Sequence, residues 1–137
     1  MRLLALTLML ASGAAQATDV QVFVSGVVGA AGNVRVAVCP QSQFLQPTCA
    51  YVAHAPARPG TTVVTVRGVP PGLYAVQAHH DANGDGRINR NFWGIPTEGI
   101  GFSRNAPMHF GPPRFADAAV SVTGALVTLD IALKFER

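Results

Sequence analysis

Charge is scarce in this chain: only 12% of its 137 residues are Asp, Glu, Lys or Arg. The ten basic residues are scattered along it, which excludes the basic cluster that marks a nucleic-acid surface. Carboxylates are few, and none forms a recognisable acid–base pair for hydrolysis. Beyond the first ten residues no long apolar run occurs, so nothing further along is long enough for a spanning helix of about 20 residues. No long window repeats apolar residues at the helical period, and no internal repeat or linker breaks the chain. A G-x-S-x-G elbow is missing too. Ser103, His109 and Asp117 therefore lack an activating context. A hydrolase using His80 or His109 is the weakest functional reading. No catalytic residue is assigned, and the expectation is a protein that is not an enzyme.

The amino terminus reads as an export signal. Residues 1–17, MRLLALTLMLASGAAQA, join a positive start at Arg2 to the apolar stretch Leu3–Leu10 and the small-residue pattern Ala15-Gln16-Ala17. Cleavage after Ala17 leaves a mature chain beginning at Thr18, with no transmembrane segment, in the periplasm or the medium. With Arg2 gone, nine basic residues face seven acidic ones. The mature residues 18–137 suffice for a single domain with its own core. Only two cysteines are present, Cys39 and Cys49. An even count in an exported chain points to one disulfide; the rival reading, a reactive or metal-binding pair, has no recognised spacing behind it.

Alternation with period two organises the mature chain. Val20, Val22 and Val24 share one strand face, and Val34, Val36 and Val38 share another. Thr62–Val69 is rich in β-branched residues. Pro70-Pro71-Gly72 then reads as a turn with Gly72 at positive φ, and Leu73–His80 as the returning strand of a hairpin. Ala118–Thr123 gives a short strand. Val127, Leu129, Ile131, Leu133 and Phe135 alternate with polar residues in the last one. With a further piece near Tyr51–Ala53, these segments predict an all-β fold. The architecture is a single β-sandwich of about seven strands, without helix beyond the signal, carrying a long ordered loop.

That loop is the candidate site. Asp81, Asn83 and Asp85 alternate before Gly86 as in a calcium loop, with the Arg87 carbonyl and Asn89 to follow. The twelfth position is Phe92 instead of Glu, and no helical pattern flanks the loop, so an EF-hand is excluded. Glu98 is the carboxylate that would have to fold back. The sequence requires no cofactor, and calcium is the ion this loop admits. The alternative is a turn held by Asx hydrogen bonds to its own backbone. His79, His80, His109 and Met108 raise a copper or zinc site, but consecutive strand residues point to opposite faces. Tyr74, Phe92, Trp93 and Phe102 read as core aromatics. Arg90, Phe92 and Trp93, set beside the strand ends, are the candidate residues for binding an envelope protein or ligand through the 81–113 region.

Three runs carry a resemblance: PPGLYAVQAHHDANGDGRI at 70–88, GIPTEGIGFSRNAP at 94–107 and FGPPRFADAAVSV at 110–122. Together they resemble the bacterial exported family known as domain of unknown function 2141. The likeness covers about Val20 to Phe135, and Asn89 stands where an acidic residue is frequent. The first run is also similar to transthyretin-like and carboxypeptidase-regulatory-like sandwiches. That likeness implies a Greek-key, prealbumin-like topology, while the family resemblance implies no established activity and carries over no catalytic residue.

Overall fold

The computed structural model describes residues 16–89 and 98–135. Most of the signal segment, and Arg90, Phe92 and Trp93, lie outside them. Strand β1 (Thr18–Val27) is central in a three-stranded sheet. It pairs antiparallel with β4 (Gly60–Val69) and parallel with β8 (Leu126–Ala132). The second sheet runs β3 (Tyr51–Pro56), β2 (Asn33–Cys39), β5 (Gly72–Asp81), β6 (Ile100–Phe102). The short β7 (Ala119–Val122) pairs with the first half of β5. The chain is therefore an all-β sandwich of two sheets.

Alternation explains the interior. Val20, Val22 and Val24 of β1 and Val34, Val36 and Val38 of β2 are all 0% exposed. They pack with Val64, Val66, Tyr74, Val76 and Ile131 in one cluster between the sheets. Each such side chain contributes roughly 1.5–3 kcal/mol on leaving water.

A second cluster lies on the opposite face of the five-stranded sheet. Ala75 of β5 meets Ile100 and Phe102 of β6, Cys39 and Phe44, with Ile88 and Met108 packed against them. Phe44 sits edge-on to Phe102, their centroids 6.0 Å apart. The described parts of the 81–113 region thus rest on a small core of their own. Ile88 anchors the loop as its apolar position suggests. The Cys39–Cys49 disulfide ties the loop that carries Phe44 to the end of β2.

Three sequence expectations change. Thr62–His80 is no hairpin, because β4 and β5 belong to different sheets. The chain crosses from one sheet to the other between them, and both strands donate inward residues to the core. The Tyr74 hydroxyl donates to the Pro70 carbonyl at 2.7 Å and pins the crossing. Gly72 is not in the left-handed region either; the Tyr74 ring packs over it, 3.2 Å from where a β-carbon would stand. One helical turn, α1 (Phe115–Ala118), also occurs where none was expected. Four residues are too few to show a helical period in sequence.

Candidate functional site

The outer face of β5 is set by alternation: Ala75, Gln77, His79 and Asp81 point away from the sandwich core. β5 continues through Asp81, one residue past the expected strand end. The chain then leaves as a tight loop and returns beside β5. On its return the His80 N–H donates to the Gly99 carbonyl at 3.0 Å, and His79 pairs with Ile100. Glu98 is thereby delivered to the end of the strand.

Three buried side chains converge there. His79 is 8% exposed, Asp81 2% and Glu98 9%, and a ligand atom of each lies within 4.8 Å of the others. Each carboxylate has one oxygen held by a protein donor. The Gly86 N–H donates to Asp81 Oδ2 at 2.8 Å, and Asn89 Nδ2 donates to Glu98 Oε1. The remaining polar atoms, His79 Nε2, Asp81 Oδ1 and Glu98 Oε2, are buried with no hydrogen-bond partner. Burial lowers the His79 pKa below the usual imidazole range, against the raising effect of Asp81. Burial likewise raises the Glu98 carboxyl; the Asn89 hydrogen bond opposes this and the charges of Asp81 and Asp85 add to it.

The other expected calcium ligands behave differently. Asn83 Oδ1 accepts the Asp85 N–H at 3.2 Å, and Asp85 Oδ1 accepts the Arg87 N–H at 2.8 Å. These are the Asx bonds of the alternative reading. The Arg87 N–H holds the exposed Asp85 carboxyl below the usual carboxylate range. Gly86 takes φ +75°, as the sharp turn requires. Of the six residues expected around calcium, the structure brings Asp81 and Glu98 together within the cluster, with Asn89 holding Glu98 from outside.

His79 is the residue the calcium pattern did not include. Its signal was present: positions i and i+2 on a strand share a face, so His79 and Asp81 are a natural pair. The consecutive pair His79 and His80 does diverge. His80 Nε2 instead lies 2.7 Å from the Ala31 carbonyl, in hydrogen-bond contact. His109 is exposed and apart from the cluster. Ser103 is fully buried; its hydroxyl donates to the Ala118 carbonyl and accepts the Val76 N–H at 2.9 Å. It is a structural bridge between β5 and α1, with Asp117 paired to Arg114 at the surface.

Beside the cluster, a groove of about 1380 Å³ opens on the outer face of the five-stranded sheet. Its floor includes Ala37, Gln77 and Phe102, and its walls come from the 45–49 and 107–112 segments. Among the described residues, three cations, Arg35, Arg87 and Lys134, line it without a carboxylate. Leu45 and Phe110 stand exposed at its rim with φ of 64° and 56°. Left-handed backbone at bulky residues is costly and gathers at functional segments.

A family model matches residues 22–130 of the chain; its description reads "Uncharacterized protein conserved in bacteria (DUF2141)". No curated protein and no solved structure matches. Among the described residues, no helix is long and apolar enough to cross a membrane.

Proposed function

The chain belongs to that bacterial family, and from this premise we propose that it is an exported, non-enzymatic binding module of the cell envelope. Its groove takes an elongated apolar ligand with an anionic head. One observation carries the reading: a large concave surface on the outer sheet face, lined largely by apolar residues such as Ala37, Leu45, Phe102, Met108 and Phe110, with Arg35, Arg87 and Lys134 as its formal charges among the described residues. Ligand sites are commonly apolar clefts with a few convergent polar groups. An acid head satisfies the cations, while Leu45, Met108 and Phe110 cover the tail.

Export is supported by the position of β1. It starts at Thr18, which is buried and donates through Oγ1 to the Gly124 carbonyl at 2.6 Å. Cleavage after Ala17 therefore leaves every strand whole. The Cys39–Cys49 disulfide fits an oxidising compartment. Arg90, Phe92 and Trp93 belong to this proposal as contributors from the same region.

Titration with dansyl-labelled undecanoic acid tests it. Saturable one-to-one binding is expected, weakened about tenfold by Arg87→Glu, as loss of a charge-assisted contact implies. Absence of binding, or binding indifferent to Arg87→Glu and Arg35→Glu together, contradicts it.

A second reading is a calcium-stabilised module using Asp81, Asn83, Asp85, the Arg87 carbonyl, Asn89 and Glu98. The return of Glu98 to Asp81 favours it. Calorimetry with millimolar calcium on chelator-treated protein should give heat and a raised melting temperature; neither appearing ends this reading.

A further inference from the structure

We infer that His79, Asp81 and Glu98 form a binding site for a divalent first-row transition ion of the zinc type, at the edge of the groove that His79 also lines. The site is built from both flanks of one loop. Asp81 and His79 come from alternate positions of β5, and Glu98 comes from the segment that returns to pair with it.

Burial makes the arrangement costly without a cation. Carboxylates removed from water must be paired or neutralised, yet neither Asp81 nor Glu98 forms an ion pair among the described residues. Arg35 lies opposite His79 in the β2–β5 ladder, but its guanidinium faces Gly86. Two carboxylates and one imidazole around a doubly charged ion give a neutral assembly. Each of the three side chains also keeps one buried polar atom with no partner, and an ion would supply what those atoms lack.

The donor set selects the ion. Calcium takes six to eight oxygen ligands, whereas imidazole nitrogen suits zinc and its neighbours. Three protein donors plus one water complete the tetrahedral coordination zinc prefers. The ligand atoms, within 4.8 Å of one another, would close to about 3.3 Å around an ion roughly 2 Å from each. The bonds from Gly86 to Asp81 and from Asn89 to Glu98 orient the ligating carboxylates from outside, as supporting donors do at metal centres. Bound metal would join the end of β5 to the Glu98–Ile100 return and so staple the 81–113 region to the sheet.

Calorimetry with zinc chloride on chelator-treated protein is the experiment. One zinc per chain is expected, with affinity falling at least tenfold in His79→Gln and in Glu98→Gln and holding in His109→Gln and Asp85→Asn. Cobalt(II) added to the unaltered protein should broaden and shift the His79 ring resonances, a readout that needs no variant to fold. No zinc uptake, uptake unaffected by His79→Gln, or cobalt effects confined to His54 and His109 would overturn the assignment. Calcium uptake without zinc uptake would overturn it as well and leave the oxygen-only loop standing.

Discussion

Gly32 lies against the Asp81 backbone so closely that a β-carbon on it would stand 2.0 Å from the Asp81 carbonyl oxygen. The contact sits where the turn after β1 crosses the end of β5, and Gly32 itself takes φ +69°. Two constraints therefore fall on one residue. Gly32→Ala must either strain a left-handed backbone or push Asp81 aside. We predict a loss of about 2–4 kcal/mol in stability, measured by urea unfolding, together with weaker zinc uptake. A variant with wild-type stability and wild-type uptake would refute the proposed coupling.

Tyr74 fastens the crossing between sheets through its hydroxyl bond to Pro70. Tyr74→Phe should cost about 0.5–1.5 kcal/mol at neutral pH, the ordinary net value of such a bond. Burial holds the Tyr74 phenol above its usual pKa of 10.0, with Tyr51 adding to the shift. A raised acid favours its neutral form in the folded state. Its stabilising contribution is thus complete below pH 10 and declines as pH rises from there toward the folded-state value. Urea midpoints from pH 8 to 11 should fall less steeply in Tyr74→Phe than in the parent protein.

Ser103 is predicted to matter for stability and for no reaction. Ser103→Ala would leave the Val76 N–H and the Ala118 carbonyl without their buried partner. Unsatisfied groups of this kind cost roughly 1–3 kcal/mol each. Thermal denaturation should report the loss, while ligand titration at temperatures where the variant is folded should be unchanged. Equal stability would mean that the hydroxyl bridge contributes little.

Much of the fold was legible because period-two alternation is a property of consecutive residues. Val20, Val22 and Val24, and Val34, Val36 and Val38, occupy the core as their spacing requires. The Cys39–Cys49 pair is joined, as the even cysteine count implies. Sheet membership was hidden. Alternation on either side of Pro70–Gly72 looks the same whether two strands lie side by side or face each other across the core. What distinguishes the arrangements is long-range pairing: β4 pairs with β1, while β5 pairs with β2 in the other sheet.

The candidate site was half visible. The loop pattern includes Asp81 and, by folding back, Glu98, but it gives equal weight to Asn83 and Asp85, whose oxygens hold backbone N–H groups. A strand that ends at His80 leaves His79 with only its diverging neighbour His80 for a partner. One more strand residue places Asp81 on the same face as His79 and changes the pairing. The groove had no sequence signature, since its walls come from segments far apart in the chain.

On the proposed function, ligand meets this protein on the outer face of the five-stranded sheet. Amide chemical-shift mapping during titration with decanoate tests it most directly. The account predicts saturable shifts at Arg35, Ala37, Gln77 and Phe102, with the β1, β4 and β8 amides undisturbed. Shifts spread over the three-stranded sheet, or none at millimolar decanoate, would contradict it.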